Sequence, residues 1–388
     1  MGVTIFVATV LGLGAARFHF RAKASAGTIP QITLVRTPHG GIQPQTVLDR
    51  DGVLHMIYFK GDASGGDVEY VERRPGAQDF SRPIRVNSER GSAMAIGTVR
   101  GPQIALGRNG RAYAVWFGPQ KPSGSGGTMP LFFSRLNDAR TAFEPQRNLM
   151  QYARGGDGGI SVAADARGDV YVVWHAMGTE PGEAHRRVYL SKSTDDGKTF
   201  GREMPISPVA LGACGCCGMR AFADEGGAVY VLYRAAAESV HRDMTLLVST
   251  DQGSTFRAER LDAWELNACP MSTAYLSEGG RSVVAAWERA GQVYFEEVGR
   301  EPGRADSGLA APGESGNRKH PAVATNASGV VLLVWTEGTG WSTGGSLAWQ
   351  LFDRGGKATS VLGQTPGVPV WGLPSAFADR EGNFTIVY

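Results

Sequence analysis

The chain is 388 residues long, with 39 Lys plus Arg against 37 Asp plus Glu and a net charge of +2. That balance lacks the electrostatic footprint of a nucleic-acid groove or a polybasic membrane surface, so neither partner is expected. With 54 Gly and 20 Pro, about a fifth of the residues carry turn chemistry, which excludes a helical bundle, while a hydrophobic fraction of 42% excludes disorder. An all-β, turn-dense globular protein remains.

At the N-terminus, residues 3–16 (VTIFVATVLGLGAA) form an uncharged apolar run too short to span a bilayer comfortably. Ala24-Ser25-Ala26 follows as a small-x-small cleavage point, although nothing basic precedes Arg17. Residues 1–26 therefore read as an export signal or N-terminal anchor, the alternative being a true strand with the alternation Phe18-His19-Phe20-Arg21. Export implies a secreted or periplasmic protein with no membrane span in its mature chain. Residues 27–388 are expected to form a single domain and a monomer.

Along that domain one pattern recurs: an alternating run, a turn with Gly, and a second apolar run ending in an aromatic. The aromatics are Tyr58, Trp116, Trp174, Tyr233, Trp287, Trp335 and Tyr388, spaced 48 to 59 residues apart. In six copies the aromatic lies six residues after a glycine: Gly52, Gly110, Gly168, Gly227, Gly329 and Gly382. Each copy reads as a hairpin with a φ > 0 turn position, and the residues between hairpins hold two further β-rich runs, such as Arg187–Ser191 and Met204–Ser207. Four short strands per 50-odd residues make the blade of a β-propeller, because the coils of a β-helix repeat at a much shorter period.

Seven hairpins predict seven four-stranded blades, with six blades and one outlying hairpin as the alternative. The small residues Ala105, Ala163, Ala223, Ala324 and Ala378 suit the crowded strand nearest a central channel. Because the chain stops after two strands of the last blade, Ile29–Arg36 is expected to complete it and close the ring, removing a free sheet edge.

Two turns between third and fourth strands are nearly identical: Ser193-Thr-Asp195-Asp-Gly197-Lys-Thr-Phe200 and Ser249-Thr-Asp251-Gln-Gly253-Ser-Thr-Phe256. Ser, Asp and Thr can bond backbone groups inside such a turn, Gly takes the φ > 0 site, and Phe plugs between sheets. The pattern resembles the Asp box, or BNR repeat, of sialidase-like propellers, over residues 30–388; degenerate copies are Arg73–Phe80 and Arg135–Phe143. The resemblance implies a propeller fold and a structural role for the boxes, not an activity.

Blade topology puts the hairpin and Asp-box turns on one rim and the remaining loops on the other. That second rim collects Arg100, Asp157, Arg242, Asp243, Arg318, His320 and all four cysteines, with Arg220 opening the innermost strand of blade 4. Cys214-Gly-Cys216-Cys217 enters blade 4 and Asn267-Ala-Cys269-Pro270 enters blade 5. The stretch resembles a secreted bacterial subgroup of sialidase-like proteins with a CxCC loop. Two disulfides among Cys214, Cys216, Cys217 and Cys269 are expected for an exported chain, in any of three pairings; a thiolate metal site is the alternative. No metal or other cofactor is otherwise called for.

A sialidase-type site needs an arginine clamp for the substrate carboxylate, a Tyr–Glu nucleophile pair and an acid/base Asp. The family's opening Phe/Tyr-Arg-Ile-Pro motif is absent, the nearest text being Val35-Arg36-Thr37-Pro38. Asp157 is the acid/base candidate. Arg220, Arg242 and Asp243, with Arg100, Arg318 and His320, are the candidate ligand residues. The expected function is binding of a glycan or other small acidic ligand at the channel mouth on the cysteine-bearing rim; the alternative is a sialidase-type exo-glycoside hydrolase acting on acidic sugars.

Overall fold

The computed structural model describes residues 29–120, 129–279, 282–299, 308–314 and 316–388, so the segment read as an export signal lies outside the described residues. Seven antiparallel hairpins each open a separate sheet, which makes seven blades and overturns the six-blade alternative. The innermost strands are Ile42–Leu48, Gln103–Leu106, Ile160–Ala164, Arg220–Ala223, Ala274–Gly279, Arg318–Thr325 and Ser375–Ala378. Six sheets are four-stranded meanders in chain order. Among the described residues helix is limited to short 3-10 turns, and no helix is long and apolar enough to cross a membrane.

The seventh blade has three strands, with Ile32–Val35 as the third. It pairs parallel to Phe384–Val387, from Ile32 opposite Phe384 to Val35 opposite Val387. Backbone bonds from Phe384 N to Gln31 O (2.8 Å), Thr37 N to Tyr388 O (2.9 Å) and Tyr388 N to Val35 O (3.1 Å) extend the seam. The first-formed and last-formed parts of the chain thus satisfy each other's strand edges.

The repeat has a local cause. Six hairpin glycines sit in the left-handed region, from Gly110 at φ 67° to Gly168 at φ 102°. Five turns are also tied by an Asx side chain. Asp49, Asp165, Asp224, Asn326 and Asp379 each accept from the backbone N–H four residues on. The second-strand aromatics then fill the gaps between blades: Trp116 and Trp174 are fully buried and donate their indole N–H to Ser92 O and Ala153 O.

Both Asp-box turns close on the same bonds. Asp195 accepts from Ser193 Oγ (2.7 Å), Thr199 N (2.8 Å) and Thr199 Oγ1 (2.6 Å). Asp251 repeats this with Ser249 Oγ (2.7 Å), Thr255 N (2.9 Å) and Thr255 Oγ1 (2.6 Å). Partial burial works against the Asp195 charge, but the bonds from Thr199 and Ser193 outweigh it and its pKa falls to about 2. Those from Thr255 and Ser249 bring Asp251 to about 2 as well.

Removing residues 374–388 should leave two blade edges bare and give an aggregating chain by light scattering; a soluble truncation with unchanged melting temperature would contradict the closure. The Asp-box carboxylates are depressed relative to an unfolded value of about 3.9. Their stabilisation is therefore complete above that value and lost as pH falls through about 2. The melting-temperature gap between wild type and the Asp195→Asn/Asp251→Asn double variant should be flat above pH 5 and close below pH 2. A gap independent of pH would show that the turns do not use the charge.

Candidate functional site

One register position recurs in every blade: the innermost-strand residue paired with the residue just before the blade's aromatic. In order these are Gln45, Gln103, Ser161, Arg220, Tyr275, Ala322 and Ser375. Six of the seven are polar, and they form a collar across the channel. Arg220 donates from Nη1 to Gln103 Oε1 and from Nη2 to Gln45 Oε1, and its guanidinium lies 4.2 Å above the Tyr275 ring. Tyr275 Oη meets Ser375 Oγ at 3.0 Å, and Ser375 Oγ meets Thr46 Oγ1 at 2.7 Å. Ser161 Oγ accepts from the Ala221 N–H at 2.9 Å.

Every partner of Arg220 is neutral, and among the described residues it makes no ion pair. Burial lowers its pKa, and only the Tyr275 phenol offsets this. A part-buried cation without a counter-ion attracts negative charge.

The space around the collar is lopsided. Toward the hairpin-turn rim the channel opens into a cavity of about 860 Å3, walled by residues such as Val47, Ala105, Ala163 and Phe222. Its mouth carries Asp49, Asp51, Asp165, Asp224, Glu225 and Glu278, together with Arg50 and Arg140. On its other side Arg220 borders a small pocket of about 30 Å3, lined by Val99, Met219, Pro321 and Leu373 among others. Arg220 borders both spaces, and the larger of the two lies on the hairpin-turn side.

The other sequence-predicted residues do not gather around Arg220. Arg100 donates to Asp157 Oδ1 and Asp157 O, both at 2.7 Å, joining the loops that enter blades 2 and 3. Asp157, half exposed, therefore holds a guanidinium. Arg242 donates to Glu183 Oε2 at 2.6 Å, and Asp243 accepts from the Trp264 N–H at 3.0 Å. Arg318 reaches Glu337 Oε1, Gln292 Oε1 and Ala311 O, each at 3.2 Å, across blades 5 and 6. His320 is buried, its backbone N–H donating to Glu288 Oε2 at 2.7 Å, and burial, then Lys319, lowers its pKa to about 3. These side chains staple neighbouring loops and blades.

The cysteines depart from the expected pair of disulfides. Cys216 and Cys269 are bonded, stapling the loops that enter blades 4 and 5, whereas Cys214 and Cys217 are free thiols with their sulfurs 2.9 Å apart. Reach decides the partner of Cys269: it lies at the surface and meets Cys216, while Cys214 and Cys217 are both buried. Cys214, Cys216 and Cys217 Sγ lie within 4.8 Å of one another.

Reading each motif separately misses Gln45, Gln103 and Tyr275, the partners of Arg220. The signal that finds them is the repeat itself, since they occupy the position of Arg220 in blades 1, 2 and 5.

No protein-family model and no curated protein matches the sequence. Among solved structures, a protein of unknown function from Dyadobacter fermentans DSM 18053 is similar at a TM-score of 0.53 and 12% identity, over 87% of this chain and 97% of that one. The leech intramolecular trans-sialidase, complexed with 2,7-anhydro-Neu5Ac, gives 0.51 and 8% over 92% and 86%. A Hadza microbial sialidase gives 0.50 and 14% over 84% and 74%. At such identities the likeness is one of fold alone: the chain is a seven-bladed β-propeller whose backbone resembles these structures.

Behind the collar, Arg234 is buried and donates to Ser272 Oγ, Arg242 O and Glu288 O, each at 2.6 Å, binding blade 4 to blade 5. Arg234→Met should lower the urea-unfolding free energy by about 3 kcal/mol, because buried acceptors lose a charged donor. A loss below about 1 kcal/mol would show that the staple is dispensable.

Proposed function

We propose that the protein binds a sugar acid, with the ligand carboxylate on Arg220 at the floor of the channel. The observation that carries the reading is the part-buried guanidinium, without an ion-pair partner among the described residues, facing a cavity of about 860 Å3. Two of the guanidinium nitrogens hold Gln45 and Gln103, and the donors left over can take a carboxylate. Carboxylates around the cavity mouth suit the hydroxyls of a sugar and disfavour a ligand that is anionic along its whole length. The glycan-active neighbours of the same fold make a sugar a more natural occupant than another small anion. The Cys216–Cys269 disulfide suits an exported, oxidising location.

Hydrolysis is the weaker reading. Asp157 was its acid, and Asp157 is engaged by Arg100 away from the cavity.

Isothermal titration with a hexuronate, a nine-carbon sialic acid and a neutral hexose tests the proposal. At least one sugar acid should bind with the neutral hexose silent. Arg220→Gln should weaken that binding by about 2 kcal/mol, roughly thirtyfold, as loss of a charge-assisted pair does. Equal affinity in the variant, or binding of the neutral sugar alone, would contradict it.

A further inference from the structure

The free thiols sit in an arrangement that a purely structural staple does not need. Cys214 and Cys217 are 1% and 2% exposed, Cys216 is 7% exposed, and its partner Cys269 is on the surface. Cys214 Sγ is 2.9 Å from Cys217 Sγ and 3.5 Å from the disulfide-bonded Cys216 Sγ. Sulfur thus leads in unbroken contact from solvent to a buried dithiol with the Cys-x-x-Cys spacing. Cys217 also has a polar surround: Ser272 Oγ donates to its sulfur at 3.4 Å, and Arg234 donates to that same hydroxyl at 2.6 Å.

We propose that the four cysteines form a thiol–disulfide exchange relay, in which surface Cys269 meets an external low-molecular-weight disulfide and the buried Cys214–Cys217 pair stores two electrons. The proposal rests on these sulfurs alone and is independent of ligand binding in the channel.

The chemistry balances with the groups present. Although burial opposes it, the Cys214 hydrogen bond and the nearby Arg234 charge make Cys217 the member of the pair that ionises first, while that same bond and burial raise Cys214. Cys214 Sγ attacks Cys216 Sγ and passes its proton to the Cys217 thiolate, and the Cys216–Cys269 bond breaks with Cys269 leaving as a thiolate. Cys217 then attacks Cys214, its proton moves to departing Cys216, and the electron pair has reached the surface as the Cys216 thiol and Cys269 thiolate. Cys269 next attacks the external disulfide, expelling one thiolate. Cys216 resolves the mixed disulfide, expelling the second and reforming Cys216–Cys269. One external disulfide is reduced to two thiols, and Cys214 and Cys217 end joined.

Oxidised glutathione added to the full chain, with released thiol counted and disulfides mapped by mass spectrometry, tests the relay. Wild type should release two glutathione thiols per chain and gain a Cys214–Cys217 bond, with a transient glutathione adduct on Cys269. The Cys216→Ser/Cys269→Ser variant should react at least tenfold more slowly. Rates within twofold of each other, or a first adduct on Cys214 or Cys217, would overturn the relay. So would purified wild type whose two thiols are already blocked by a tightly held metal. Should the double variant fail to fold, the position of the first adduct in wild type decides alone.

Discussion

Everything in this molecule depends on register. A strand alternates its side chains with a period of two, so once each hairpin is fixed by its turn, one residue per blade is fixed at the channel collar. Left-handed glycines and Asx side chains set those turns, and the second-strand aromatics lock each blade against the next. A one-residue slip in blade 4 would take Arg220 out of the collar and break its bonds to blades 1 and 2. The parallel seam between Ile32–Val35 and Phe384–Val387 then makes seven registers one ring.

The arginines divide by what they touch. Arg100, Arg234, Arg242 and Arg318 spend their donors on carboxylates or carbonyls of neighbouring loops and blades, which is how a ring with little helix keeps its loops rigid. Arg220 alone of the predicted ligand arginines faces the channel with neutral partners. Its two amide acceptors orient the guanidinium without neutralising it, and the Tyr275 ring supports one face. Orientation without neutralisation is what an anion site requires.

Much of the fold was legible in the sequence because its signals are local. Glycine six residues before an aromatic, and Ser-x-Asp-x-Gly-x-Thr-Phe, are readable over a dozen residues. The closing strand was also foreseeable, since the hairpin of the last blade offers an open edge to an N-terminal strand. The site was legible only in part. Arg220 is placed at the channel by its position at the head of an innermost strand, but its partners lie 117 and 175 residues away in sequence. Arg100, Arg242 and Arg318 stand in ion pairs that could not be read from the sequence, because their partners are not neighbours in it. The small pocket on the other side of Arg220 is lined by Val99, Met219, Pro321 and Leu373, ordinary core residues that carry no motif. Disulfide pairing was undecidable for the same reason: it follows from loop depth, not spacing.

The central proposal is that Arg220 is a cationic anchor reached through the channel. Crystals soaked in bromide, measured at the bromine absorption edge, test it most directly. The account predicts an anomalous peak against the Arg220 guanidinium inside the cavity, absent from crystals of Arg220→Gln. Bromide found only at the outer arginines, with the channel empty in wild type, would contradict it.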